Sequence, residues 1–495
     1  MAGLHIIDIA IIAVYLTSLL VVGLHTARSV KNTGDFFIGG RRFGKGMMAM
    51  LGFGTSTHAD NVVAVISKSY QVGLAGIWYE WLWLLLTPFY WITIPIVRRI
   101  RVVTTADFFL KRYNRTISTL YAVMAIVIMM LTIGIMLLAS GRIIEALTGG
   151  QVSYVVSIVG MTVMFVMYGI AGGLVSAIYT DVIQGVLTFI LSFIILPFGL
   201  IRVGGLSGLH EKLANAPHDL FSLIVPGEIT VFFIVMMSVN ALVGWPVHPQ
   251  RFLSVGAART DWDVRMGSMI GVFFKRVSTV AWAFAGLCIL ALIPGLDNSD
   301  HAFGEGALVL LPAGLVGLFL ASVIASVQSS CDAFMVAAAG TFTRNIYRVY
   351  IRKTGEDSHY LMVGRVSSLV IVAGSLIFAF TLSGVPRALE LFWKVTALMG
   401  VPFWLGVAWR RANPVSVWSS FIASGLVFLS FEFDSLTGLS VSLPWQMLSY
   451  ITAGLIAGLI GGFFTKPQPK EQLDRFFKDL HTPVDTAEIL EDDTM

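Results

Sequence analysis

Runs of about 20 mostly apolar residues, each long enough to cross a bilayer as a helix, recur from one end of this chain to the other. About thirteen such segments meet that length rule. They lie near 4–24, 46–70, 75–97, 116–146, 151–175, 178–202, 228–253, 264–293, 307–345, 360–383, 386–409, 414–433 and 443–465. Barrel strands would be shorter and would alternate polar with apolar residues. At this length and hydropathy a helix is what satisfies the backbone. Hydrophobic residues make up 56% of the 495 and charged residues only 13%, about half of what a soluble domain carries. The expectation is an all-α integral membrane protein. The first run has no basic leader and no small-residue cleavage site, so it reads as a retained helix and not a signal peptide. Cys288 and Cys331 both fall inside apolar segments and read as small core residues.

Lys and Arg set the orientation. The loop after the first segment carries Arg28, Lys31, Arg41, Arg42 and Lys45, and every second connection after it is again basic. The connections between are poor in Lys and Arg, and one, "GLDNSDHAFGEG", is acidic. This alternation puts the N-terminus outside and the C-terminus in the cytoplasm, and it supports an odd number of helices. The protein is expected in the cytoplasmic or plasma membrane. The tail after residue 465 is polar; its central part fits a short interfacial helix, but a partly ordered solvated tail is the expected state.

Two segments are poor as unbroken helices. In "MLGFGTSTHADNVV", Gly52 and Gly54 precede a dense set of polar residues, Thr55 to Thr57, His58, Asp60 and Asn61. In "NALVGWPVHPQRF", Gly244, Pro246 and Pro249 interrupt the second half, and proline removes a backbone donor and crowds the preceding turn. Two Gly/Pro-broken segments in matching positions are the sequence pointer to a secondary transporter built from inverted repeats. A third segment holds "SVIASVQSSCDAF", where Ser326 shares a helix face with Ser329 and with Ser330. Several hydroxyl and carbonyl oxygens suit a hard cation. An ionisable residue within the bilayer, such as Asp181 or Asp332, is a functional candidate by default. Direct drive by ATP is not expected, since there is no GxxxxGK[ST] loop. Nor is there an ordered metal-ligand set, a nucleophile–base pair or a cofactor loop. An enzyme with catalytic residues and a nucleic-acid partner are therefore not expected.

Several stretches together resemble the sodium:solute symporter family, whose members include sodium/galactose, proline, pantothenate and sialic acid symporters. They are "DFFIGGRRFG" (35–44), "YEW" (79–81), "TTADFFLKRY" (104–113), "AGGLVSAIYTDVIQG" (171–185), "QRFLSV" (250–255) and "SVQSSCDA" (326–333), in order and with family spacing. The resemblance implies a leucine-transporter-like core of two inverted five-helix repeats and import of a small organic solute driven by the sodium gradient. The implied division is an extra helix and basic loop (1–45), a first repeat (46–202), an extracellular connection (203–227), a second repeat (228–409), two further helices (410–465) and a cytoplasmic tail (466–495).

The resemblance also implies roles for single residues. Co-transported sodium would meet the carbonyls of Gly54, Thr57 and Ser326 and the hydroxyls of Ser329 and Ser330. Ser326 departs from the alanine common there, mildly, because a carbonyl does the work. Asp181 aligns with the acid beside this site. Asp332 is a second candidate for that charge, and the pair Asp181 and Asp332 suits a second sodium or a cytoplasmic gate, roles left open. For the solute, Asn61, Glu80, Lys275 and Lys394 align with contacts of the sugar-transporting members, in which Lys394 is a Gln and Trp83 a Ser. Lys394 lies about 12 Å into its helix, near the midplane. Its partner is expected to be Glu80, Asp60 or a carboxylate on the solute, so a sugar or polyol and a sugar acid or amino acid both remain open. Trp83 and Trp245 would stack on a ring or fill the core. His58 and His248 flank the breaks as solute contacts, proton carriers or, as expected, packing hydrogen bonders. The alternatives are a proton-coupled carrier on the same fold and, further off, a non-transporting membrane sensor. The lipid bilayer is an expected partner beside sodium and the solute; monomer and homodimer are both open.

Overall fold

The computed structural model describes residues 5–27, 45, 49, 53, 56–102, 104–216, 219–249, 255, 260–433 and 441–483, without the side chains of 19–20, 22–27 and 168–185. Among the described residues every regular element is helical. In chain order they are α1 (Ile6–Ala27), α2 (Ala59–Val72), α3 (Trp78–Trp81), α4 (Thr87–Arg99), α5 (Thr105–Arg112) and α6 (Arg115–Leu147). Then come α7 (Tyr154–Phe193), α8 (Ile195–Val203), α9 (Gly205–Leu213), α10 (Val231–Gly244), α11 (Asp261–Leu292) and α12 (Ala302–Leu310). The last six are α13 (Leu315–Phe342), α14 (Asp357–Thr381), α15 (Val385–Ala408), α16 (Pro414–Glu432), α17 (Leu443–Phe463) and α18 (Lys470–His481). Eight helices among the described residues are long and apolar enough to cross a bilayer, with three shorter apolar stretches beside them.

One boundary differs from the sequence reading. The segments expected at 151–175 and 178–202 are joined, because α7 runs for 40 residues without interruption. At 1.5 Å per residue that is about 60 Å, twice the hydrocarbon thickness. There is no proline between Gln151 and Leu196 to stop it. The interruption comes at Ile194, where Pro197 cannot donate to the carbonyl of Phe193.

Both expected breaks are present. Residues 56–58 are not helical, His58 is extended (φ −129°, ψ 163°), and α2 starts at Ala59. At the second break α10 stops at Gly244, a 3-10 turn covers Trp245–Val247, and His248 is extended (φ −62°, ψ 125°). Packing then sets these two ends. α2 lies against α11, and α10 against α15. A Cβ on Gly400 of α15 would lie 2.2 Å from the Val243 carbonyl oxygen, so glycine is what lets α15 approach the last turn of α10. α13 sits among α1, α6, α7 and α14. Buried Asp8 of α1 accepts the backbone N–H groups of Gly314 and Gly317, each at 2.7 Å. A carboxylate there satisfies donors that the first turn of α13 leaves open and opposes the positive end of its dipole.

The α16–α17 pair is joined to the rest mainly through α15. On the basic end of the bundle "TTADFF" forms a capping box: the Asp107 N–H donates to Thr104 Oγ1 (3.2 Å) and the Thr104 N–H to Asp107 Oδ2 (3.0 Å). The tail differs from expectation. Its central part is α18, an ordered helix that buries Leu473, Phe476, Phe477 and Leu480 and is held by a Lys111–Asp479 ion pair (2.8 Å). The alternation of apolar and charged residues in "EQLDRFFKDL" gives it a face to bury.

Candidate functional site

The polar residues that follow the first break converge on one buried cluster. Glu80 sits on α3, in "YEW", and Lys275 and Arg276 sit on α11. Lys275 Nζ lies 3.0 Å from Glu80 Oε2 and donates to Asn61 Oδ1 (3.0 Å) and to the Ser56 carbonyl of the break itself. Arg276 Nη1 donates to the carbonyl (2.9 Å) and to Oε2 (3.0 Å) of the same Glu80. Asn61 Nδ2 donates to Asp60 Oδ2 (3.4 Å), while Asp60 Oδ1 is buried without a hydrogen-bond partner among the described residues. All five side chains are buried. Formally the cluster is balanced, two cations against two carboxylates. A buried charge persists only when paired and hydrogen-bonded. Here the pairing joins the broken helix, α3 and α11.

A second contact ties the break to α13. Ser330 Oγ lies 2.6 Å from His58 Nδ1 and donates to the Ser326 carbonyl (3.0 Å). Ser326 Oγ donates to Val323 O (3.0 Å), so its hydroxyl serves its own helix. Thr57, one residue before His58, is buried, and its hydroxyl has no hydrogen-bond partner among the described residues. Ser329 lies on the same turn, and Asp332 is fully buried one turn on. The second break reaches α13 too: the rings of His58 and His248 lie 6.4 Å and 6.0 Å from that of Phe334. The two interruptions thus meet α13 at one phenylalanine.

Other expected site residues are placed differently. The partner expected for Lys394 is corrected: its ammonium meets neither Glu80 nor Asp60 but Glu432, at the end of α16, with Gln446 of α17 at 3.3 Å. Glu80 is already committed to α11, and Lys394 points from α15 to the appended helices. Trp245 packs tilted against Tyr90, ring centres 4.9 Å apart, and Trp83 is partly buried against the core. His248 packs edge-on against Phe392 (5.7 Å) as well as Phe334. Gly54 lies outside the described residues, and Asp181 lies on α7 with its side chain outside them. Sequence reasoning missed Arg276 and Glu432. For Arg276 the signal was present, since "FFKRVS" puts two adjacent cations inside an apolar run.

The match to known proteins follows this geometry. The family model for the sodium:solute symporter family covers residues 36–423. The chain belongs to the sodium:solute symporter family. Sodium is accordingly its co-transported ion. Among curated relatives it is 24% identical to a Vibrio parahaemolyticus sodium/glucose cotransporter, over 83% of this chain and 82% of the relative. It is 26% identical to a Bos taurus sodium/myo-inositol cotransporter 2, over 94% and 78%. It is 24% identical to the osmoregulated proline transporter OpuE of Bacillus subtilis (strain 168), over 93% and 95%. Among solved structures it is similar to a Na+-coupled sialic acid symporter, with a TM-score of 0.79 and 20% identity over 94% of this chain and 98% of that one. Mhp1, a nucleobase-cation-symport-1 family transporter, matches with a TM-score of 0.56 and 14% identity over 90% and 99%. At these identities the two structures speak for the fold, which is that of leucine-transporter-like carriers.

Proposed function

We propose that this symporter imports a small, uncharged polyhydroxy solute with sodium by alternating access. The solute would be held at the Asn61–Glu80–Lys275 cluster. The observation that carries the reading is the meeting of Lys275 with Ser56 O, Asn61 and Glu80 at the first break. A solute hydroxyl can exchange with any of these groups without uncovering a charge. The balance of Lys275 and Arg276 against Glu80 and Asp60 favours a sugar or polyol over a carboxylate. With Lys394 bound to Glu432, the carboxylate reading loses its strongest support. Among the relatives the cotransporters for glucose and for myo-inositol support a polyhydroxy solute, whereas the proline transporter and the sialic acid symporter are named for carboxylate-bearing ones.

Sodium would bind where the break meets α13, through the carbonyls of Gly54, Thr57 and Ser326 and the hydroxyls of Ser329 and Ser330. Asp181 and Asp332 would supply charge nearby. In this reading Ser330 leaves His58 for the ion. The two breaks mark the first helices of two inverted repeats, 46–202 and 228–409, with one helix before and two after. The basic end, including α18, faces the cytoplasm. An inside-negative potential of about 100 mV gives about 2.3 kcal/mol per charge, and a tenfold sodium gradient adds about 1.4 kcal/mol. One sodium per cycle therefore supports roughly 500-fold accumulation of a neutral solute.

The test is the melting midpoint of the purified protein against sugars, polyols, amino acids and sugar acids, each in sodium and in potassium. A ligand that binds only the folded state raises the midpoint. A sugar or polyol that stabilises in sodium alone is the expected result. Stabilisation by carboxylate-bearing solutes alone would overturn the solute assignment.

A further inference from the structure

The basic end of the bundle carries a groove of about 640 Å³, a volume in the range of small-molecule sites. Its walls are α4, the start of α11 and the end of α15, and its floor is α18. Arg99, Arg265 and Arg410 line it together with Trp91, Ile92 and Phe477. Among the described residues, neither the solute cluster nor the breaks line it.

Three observations bear on what it holds. The Nε atoms of Arg99 and Arg265 are buried and have no hydrogen-bond partner among the described residues. A buried unpaired donor of a charged group is costly, so this pair is arranged for an acceptor. Acids on the surrounding helices are engaged elsewhere: Asp261 with Arg98 (2.7 Å), Asp263 with the Thr260 hydroxyl (2.8 Å), Asp479 with Lys111 (2.8 Å) and Asp474 with Arg410. The outer wall is made for lipid. Trp91 and Trp262 are exposed and meet edge to face at 5.9 Å, Arg265 lies over the Trp91 ring at 5.2 Å, and Ile92 is 62% exposed. Tryptophans of this kind sit at headgroup level, and the apolar Phe89 and Ile92 of α4 are exposed beside them.

We propose that this groove binds one anionic phospholipid. Its phosphate accepts from Arg99 and Arg265, and an acyl chain lies along Trp91 and Ile92. Guanidinium forks match phosphate oxygens, and basic pockets between helices on this side of a membrane suit acidic headgroups. Because α18 forms the floor, the lipid also bridges the C-terminal helix to α4 and α11.

The experiment uses the full chain in detergent. Melting midpoints are measured with added dioleoylphosphatidylglycerol, with dioleoylphosphatidylcholine, and with inorganic phosphate at the same concentration. We expect phosphatidylglycerol to raise the midpoint by several degrees and to bind roughly thirtyfold more tightly than phosphatidylcholine, the ratio two cations give beside an acidic headgroup. R99Q/R265Q removes that increment and leaves the midpoint in phosphatidylcholine in place, whereas K353Q, an exposed cation elsewhere on the basic end, leaves the increment intact. Equal effects of the two lipids, or retention of the increment in R99Q/R265Q, overturn the proposal. An equal effect of inorganic phosphate overturns it in favour of a soluble anion. If R99Q/R265Q does not fold, native mass spectrometry of the wild type and of R99K/R265K in mixed micelles decides. Preferential retention of one phosphatidylglycerol, weakened in the lysine variant, supports the site; equal retention of both lipids sinks it.

Discussion

Lys275 and Lys394 invite comparison, because both are buried cations in spanning helices, 4% and 3% exposed. Lys275 on α11 reaches across to a helix break and shares Glu80 with Arg276. Lys394 on α15 faces the other way and closes against Glu432 and Gln446 of the appended pair. The same side chain, equally buried, joins the helix break to α3 and α11 in one place and fastens α15 to the appended pair in the other. A charge inside the bilayer guarantees a partner, and the partner, not the charge, decides the role.

That contrast can be broken by removing the acids. E80Q strands both Lys275 and Arg276, and stranding a buried charge costs about 3–5 kcal/mol. We expect the lowest melting midpoint of the series and no sodium-dependent uptake. E432Q strands Lys394 alone, and the Glu432 side chain is 21% exposed, so water screens part of the loss. A drop of about 1–3 kcal/mol in chemical or thermal unfolding is expected, with the solute affinity of the folded protein unchanged. A changed affinity would bring Lys394 back into the site. S330A leaves the charges alone and removes the hydroxyl between His58 and the Ser326 carbonyl. The sodium concentration for half-maximal uptake should rise about tenfold, the ratio for one contact of about 1.4 kcal/mol. The smallest effect sharpens the contrast. K394M/E432L replaces a buried ion pair by apolar side chains, which is often neutral or stabilising, so midpoint and uptake should both stay near wild type.

The helical class and both breaks were legible in the sequence, because run length and the clustering of Gly, Pro and polar residues before Ala59 and at 244–249 act locally on the backbone. The cluster at Asn61, Glu80 and Lys275 was legible by resemblance, since "YEW" and the polar run after Gly54 are short motifs. What sequence could not supply was direction around a helix. Lys394 was matched with Glu80, Asp60 or a solute carboxylate because a buried cation needs an anionic partner; depth follows from residue count, but azimuth follows from packing against α16 and α17. The same holds for Trp245, which fills space against Tyr90. The tail was underestimated because its apolar face is four residues wide and finds its cover only in the folded bundle. The run through residues 154–193 was divided on length alone, where no proline marks a stop.

The central claim is that Lys275 and not Lys394 belongs to a sodium-driven solute path. Its most direct test is uptake into proteoliposomes of the solute found in the melting screen, driven by an imposed sodium gradient or, separately, by a proton gradient. Wild type and K394M/E432L should accumulate solute under the sodium gradient alone, while K275Q, reconstituted at equal amounts, should not. Normal sodium-driven uptake by K275Q, or uptake by wild type that follows the proton gradient instead, would contradict the account.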